Sequence, residues 1–214
     1  MSSLKLSNAT MAFASPIMTF TVPDAENLNK QLLKEANAMR EASAGMNRSN
    51  FNGWHSETDL FQRNEKGIST LCKHIIEAFK VTTLRTIPGF PLADHNMTFN
   101  GWININGKGG YNSPHTHPGN QWSGCYYANQ PDTDHSRAGM IEFLDPRLSP
   151  RDMAIFGTPL FAPKIQVRPS AGQLLVFPSY LMHWVYPNES EEERVSIAWN
   201  GSLTKVPASN VRRK

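Results

Sequence analysis

The sequence predicts a mainly β fold, a sandwich or barrel of short strands preceded by two amphipathic helices. From residue 97 onward the chain breaks into short apolar or alternating runs cut by Gly, Pro and Asn, the pattern of an antiparallel β architecture. Before that point two stretches carry apolar residues at helical spacing instead. At 214 residues with 39% hydrophobic content, the chain is long enough for one core and short for two.

The elements follow in order. Met18 to Val22 is a short strand candidate, and Pro23-Asp24 then offers a helix start. Leu28, Leu32, Leu33, Ala36 and Met39 repeat on one face, which predicts a helix over Asp24 to Ala42. A polar segment, SAGMNRSNFNGWHSETDLF, leads to Ile68, Leu71, Cys72, Ile75, Ile76 and Phe79, the stripe of a second helix. Seven strand candidates come next: TFNGWININ, WSGCYYAN, GMIEFLD, KIQVRP, GQLLVFP, HWVYP and VSIAWNGSL. The chain therefore reads as a single domain over 1–214. Residues 1–96 support the barrel, 97–203 form its core, and 204–214 are a basic tail.

Composition excludes several classes. Charged residues make up 18% and mean hydropathy is −0.44, which fits neither a disordered chain nor an apolar membrane protein. The formal charge of +3 comes from the tail, because Lys205, Arg212, Arg213 and Lys214 lie in the last ten residues without an acid. Removing those four leaves a net charge of −1 on the rest, which argues against duplex nucleic acid as a partner. The N-terminus lacks the basic start and apolar run of a signal peptide, and no run reaches membrane-spanning length. Two cysteines, Cys72 and Cys125, with no CxxC, suit a reducing compartment, so a cytoplasmic location is expected. The five Asn-x-Ser/Thr matches are then coincidental.

Three of the seven histidines stand out. His115 and His117 flank Thr116, and alternate residues of an extended chain face the same side, so both imidazoles address one point. His183 lies on a late strand candidate. In a jelly roll, two ligands from an early strand and one from a late strand meet inside the barrel and leave one side of a metal open, as in a facial iron site. Eleven residues beyond His183 comes Arg194-Val195-Ser196, where alternation aims Arg194 and Ser196 at one face. A guanidinium fork with an adjacent hydroxyl makes a seat for a carboxylate. His74 lies in the second helix and His95 and His135 in loops, where structural or solvated roles suffice. Trp54, His55 and Trp102 suit core packing and a turn better than a substrate lid, although a lid would use the same residues.

The order HTH, SGCYY, PSAGQLLVFPSYLMHWVYPN and ERVSIAWN resembles the 2-oxoglutarate and Fe(II)-dependent dioxygenase superfamily, and within it a small group found in marine bacteria and phages. The resemblance runs from about Asn47 to Asn200 and includes SNFNGWHS, NGWININ and FLDPR. It implies a double-stranded β-helix (jelly roll) with the two N-terminal helices packed on it, Fe(II) near the open end, and 2-oxoglutarate and O2 as co-substrates. His115 and His183 match the two histidines of the family's His-x-Asp/Glu…His triad, and His117 stands where the carboxylate belongs, a departure that adds a positive charge to the site. Two other registers stay open. His117 is then the first ligand with Gly119 in the carboxylate slot, or Asp145 swings in from FLDPR. Arg194 and Ser196 match the residues that bind the distal carboxylate of 2-oxoglutarate. Ser123 and Tyr127 share a strand face towards the same pocket, with Tyr126 the alternative if the register slips by one. Asn104 is the amide expected near the metal-bound end, with Asn106 as its alternative.

The implied reaction is hydroxylation of a C–H bond with release of succinate and CO2. Two rival readings remain at this level. A cupin-type dioxygenase or isomerase would use the histidines without 2-oxoglutarate, although PGNQWS follows HTH where cupins place a glutamate, and Arg194 would then have no task. A non-catalytic jelly-roll binding protein would use neither. The prime substrate is open, with a peptidyl residue or free amino acid favoured. The apolar stripes of the helices serve a homodimer as well as a monomer.

Overall fold

The computed structural model describes residues 4–8, 12–132, 137–147, 153 and 155–207. His135 and the end of the basic tail lie outside them. Nine strands form one antiparallel sheet in the order β1-β7-β4-β9-β3-β8-β5-β6, with β2 paired to β3 off that path. They are β1 Met18–Thr21, β2 Asn50–His55, β3 His95–His115, β4 Trp122–Asn129, β5 Ile141–Leu144, β6 Lys164–Val167, β7 Gln173–Pro178, β8 His183–Val185 and β9 Arg194–Lys205. The path interleaves early and late strands, which is how a curled jelly roll brings β3 and β8 side by side.

Two helices, α1 (Ala25–Ala42) and α2 (Lys66–Thr86), pack on one face of the sheet. Leu28, Leu32, Ala36 and Met39 of α1 meet Ile68, Leu71, Ile75 and Phe79 of α2, together with Tyr126, Leu174, Val176, Ile197 and Trp199 from the strands. Each fully buried aliphatic or aromatic side chain here contributes roughly 1.5–3 kcal/mol relative to exposure. The opposite face holds a second cluster of Tyr127, Phe143, Leu175, Phe177, Leu181 and Val185. The period-2 alternation of β4 and β7 therefore sorts neighbours into two layers: Tyr126, Leu174 and Val176 support the helices, while Tyr127, Leu175 and Phe177 line the barrel interior. Gly124 permits this contact, since a Cβ there would lie 2.4 Å from the Leu175 carbonyl oxygen and 2.5 Å from the Trp199 ring.

Three expectations change. The segment read as polar connection contains a strand, β2, paired antiparallel with β3 from Asn50↔Asn112 to His55↔Asn104. It hides from the pattern because only its ends, Asn50 and His55, are buried, so it shows no apolar alternation. The strand over Thr98 to Asn106 extends to His115, because Gly107, Gly109 and Gly110 carry the chain past a bend that reads as a turn. The second helix runs on to Thr86, beyond its apolar stripe.

Among the described residues no helix is long and apolar enough to cross a membrane.

Candidate active site

The three histidines converge. His115 ends β3 and pairs across the ladder with His183, the first residue of β8. The β3–β8 register shifts between Asn112 and His115, a bulge at Ser113-Pro114 that re-aims the end of the strand. His117 lies two residues beyond β3, not at the start of β4, and its backbone N–H donates to the Ser179 carbonyl at 3.0 Å. Ring centroids are 4.4 Å apart for His115 and His183, 4.9 Å for His115 and His117, and 5.1 Å for His117 and His183. One nitrogen from each lies within 4.8 Å of the others.

Their protonation follows from their surroundings. His115 Nδ1 lies 2.7 Å from the Ser113 carbonyl and His183 Nδ1 2.8 Å from the Leu181 carbonyl. A carbonyl only accepts, so both Nδ1 atoms carry the proton and each Nε2 keeps its lone pair. Burial holds the His115 ring below the usual imidazole range. Burial, aided by the charge of His115, lowers His117 to about 4 and His183 to about 3. All three are neutral at pH 7, the state in which imidazole binds metal. The donor set, the free lone pairs and the convergence fit an Fe(II) ion.

The alternative ligands are elsewhere. Gly119 sits in the turn before β4 with φ +83 and brings no side chain. Asp145 is held by Arg147, whose Nε donates at 2.9 Å and Nη2 at 2.5 Å, away from the histidine cluster.

A narrow chamber of about 40 Å3 runs inward from the histidines, lined by Asn104, Asn112, Cys125, Tyr127, Arg194 and Ser196. Arg194 is 1% exposed. Its Nε donates to Gln130 Oε1 at 2.9 Å and its Nη1 to Ser196 Oγ at 3.1 Å, while Nη2 has no partner. The guanidinium lies 5.2 Å over the Tyr127 ring, and the Tyr127 hydroxyl, with a pKa raised by burial, is also unpartnered. Asn104 Oδ1 is a third orphaned atom on the chamber wall. Unsatisfied buried groups cost about 1–3 kcal/mol each, so three of them along one chamber mark a missing polar guest.

Other sequence-based candidates fall outside. Ser123 does not line the chamber, because its hydroxyl donates to Asn200 Oδ1 at 2.7 Å and contacts Ser179 Oγ at 2.7 Å. Tyr126 faces the helices and donates to Asn29 Oδ1 at 2.6 Å. Asn106 is buried with an unpartnered amide, yet it is absent from the chamber wall. Gln130 and Asn112 were missed. Gln130 follows β4 in a loop that no periodicity marks, and Asn112 lies past the glycines that obscure β3.

Residues 100–200 match the family model described as "Putative 2OG-Fe(II) oxygenase". The matched segment holds His115, His117, His183 and Arg194, and with the jelly-roll fold it marks the protein as a 2-oxoglutarate- and Fe(II)-dependent oxygenase. Iron and 2-oxoglutarate are accordingly its metal and co-substrate, with O2. Solved structures with a similar fold include a Pseudomonas putida prolyl-4-hydroxylase, at 16% identity and a TM-score of 0.58, covering 89% of this chain and 93% of that one. Another is a viral collagen prolyl hydroxylase from Paramecium Bursaria Chlorella virus-1 in complex with 2-oxoglutarate, at 12% identity and TM-score 0.56, with 86% and 94% covered. A third is the non-haem α-ketoglutarate-dependent carbocyclase SnoK of nogalamycin biosynthesis, at 11% identity and TM-score 0.62, with 92% and 84% covered. At these identities the similarity is one of fold. No curated protein matches the sequence of this oxygenase.

Proposed function

We propose that this oxygenase hydroxylates an amino acid, free or within a peptide, at a site where His115, His117 and His183 hold Fe(II) and Arg194 holds 2-oxoglutarate. The observation that carries the reading is the Arg194 guanidinium, buried with no carboxylate paired to it among the described residues and with its Nη2 unpartnered on the wall of a chamber that ends at the three histidines. A buried cation with only neutral partners is costly, and a dicarboxylate that reaches from Arg194 to the histidines offsets that cost.

The residues divide the work. The Nδ1–H bonds of His115 and His183 to backbone carbonyls fix both rings with Nε2 inward, which lowers the reorganisation needed for coordination. Gln130 and Ser196 orient the Arg194 fork, leaving Nη2 and the Tyr127 hydroxyl to donate to the distal carboxylate. Asn104 lines the same chamber, and its orphaned Oδ1, which only accepts, suits an ordered water beside the co-substrate. Phe143 and Phe177, both buried, pack against the His183 ring and keep bulk water from that side. With iron and 2-oxoglutarate bound, O2 supplies one oxygen atom to succinate and one to the substrate C–H bond, and CO2 leaves. Three neutral imidazoles leave the full dication to attract the co-substrate's two charges. The free thiols of Cys72 and Cys125 agree with a cytoplasmic setting.

The test is anaerobic titration of the Fe(II)-loaded protein with 2-oxoglutarate, following the visible metal-to-ligand charge-transfer band of a chelated complex. A saturable band is expected. Bound iron with no band at any 2-oxoglutarate concentration would refute the assignment.

A further inference from the structure

The outer side of the histidine cluster opens into a second cavity of about 250 Å3, which the co-substrate reading leaves empty. His115 and His117 form its floor, and Trp102, Ser49, Thr58 and Arg48 are among its walls. Its chemistry is uneven. Trp102 stacks on His55 at 5.4 Å and 12° and meets His117 at 5.8 Å, so an indole and a buried, neutral imidazole make a fixed apolar wall next to two of the proposed ligands. His55 is kept in its neutral form chiefly by burial, with the positive charge of Arg48 adding to the effect. Arg48 is then the one permanent charge in the lining, which contains no carboxylate. Among the described residues Arg48 forms no salt bridge. Its position is nonetheless anchored, because its backbone N–H donates to Asn50 Oδ1 at 2.9 Å at the start of β2.

The cavity opens to solvent, so the chemistry of its walls and not its volume selects the guest. Arg48 and the histidine floor line one cavity, so a single small molecule can carry both a group held by Arg48 and a C–H bond over the histidines. A residue inside a peptide carries its carboxyl as an amide and offers Arg48 only a neutral carbonyl, whereas a free amino acid supplies a carboxylate that matches the planar fork with charge assistance.

We propose that the prime substrate is a small free carboxylic acid of the amino-acid class, its carboxylate paired with Arg48 and its carbon body laid on Trp102 above the histidine floor. This inference rests on the oxygenase reading above and narrows its substrate from an amino acid in any setting to a free one.

The experiment uses the full chain loaded with Zn(II) and 2-oxoglutarate, so that nothing turns over. Ligand-observed saturation-transfer NMR and calorimetry are run against the free L-amino acids, their carboxamides, capped tripeptides with the same central residues, and a set of small phosphomonoesters. Arg48→Gln and Arg48→Lys are measured beside the parent, and both should fold because Arg48 is exposed. At least one free amino acid is expected to bind, to be weakened tenfold or more by amidation and by Arg48→Gln, and to retain part of its affinity in Arg48→Lys. The same acid should stimulate succinate formation by the Fe(II) form. Capped peptides or carboxamides that bind as well as the acid would overturn the proposal. So would Arg48-dependent binding confined to phosphomonoesters, or acid binding indifferent to Arg48→Gln, or binding by no free amino acid. The charge-transfer titration separates the levels: a band with any of these outcomes leaves the oxygenase standing and removes only the substrate, while no band removes both.

Discussion

Replacing Arg194 with Met should move co-substrate affinity and stability of the ligand-free protein in opposite directions. In the parent the guanidinium is 1% exposed, bonded to Gln130 and Ser196, and paired with no carboxylate among the described residues. Burying a charge costs several kcal/mol, and the two neutral partners return about 1.5–3 kcal/mol each. Methionine has a similar reach without the charge, so the ligand-free variant should be as stable as the parent or more so, despite leaving the Ser196 hydroxyl short of a donor. Binding is different. The variant loses the charge-assisted bonds to the distal carboxylate and leaves that carboxylate facing the Tyr127 hydroxyl alone, a loss of about 3–5 kcal/mol. At about 1.4 kcal/mol per decade, 2-oxoglutarate should bind on the order of 10²–10⁴-fold more weakly. Iron affinity should hold, since Arg194 is not part of the histidine cluster. Urea unfolding of the metal-free proteins gives the first quantity and anaerobic charge-transfer titration the second. Unchanged 2-oxoglutarate affinity together with a stability loss above about 2 kcal/mol would refute the reasoning and make Arg194 a framework residue.

Three further outcomes are expected. His117→Ala should lower Fe(II) or Zn(II) affinity by at least about 100-fold, beyond the roughly 10–100-fold typical of a lost outer partner, as read by chelator competition; an unchanged affinity would place His117 outside the coordination set. Gly124→Ala should destabilise the fold by about 1–3 kcal/mol in urea, because its Cβ would lie 2.4 Å from the Leu175 carbonyl oxygen, and the ring of Trp199 blocks the other side. The metal-free protein should lose stability as pH falls from about 6.5 towards 4. There the unfolded chain protonates its histidines, while folded His117 and His183 stay neutral down to about 4 and 3, so the folded state binds fewer protons. Thermal midpoints that are flat between pH 7 and 5, or that fall equally in His117→Ala, would contradict this.

Much of the site was legible because its parts follow local rules. The HTH spacing, the distal His183 and the Arg194-Val195-Ser196 alternation each depend only on the period of an extended chain, and the two helices declare themselves through stripes such as Leu28, Leu32, Ala36 and Met39. Chemistry could be inferred from residue type at those positions, since an imidazole cluster suits a metal and a guanidinium suits an acid. Ser123 shows the limit of the same rule. Alternation put it on the face of Tyr127, and it is on that face, but Asn200 and Ser179 lie closer to its hydroxyl than the chamber does.

What the sequence determined by itself was the set of local conformations and the side each residue faces, because backbone sterics and hydrophobic periodicity act over a few residues. Only the tertiary structure decided which faces meet. The pairing of His115 with His183 joins residues 68 positions apart through a bulged ladder, a contact no local period encodes. The same holds for β2, whose polar residues become a strand because β3 offers them an unpaired edge, and which thereby carries Arg48 to the mouth of the site. Gln130 likewise reaches Arg194 only after β4 and β9 have paired. Backbone hydrogen bonding between distant strands is satisfied by the whole sheet at once, and the geometry of a site at its open end is set by that closure.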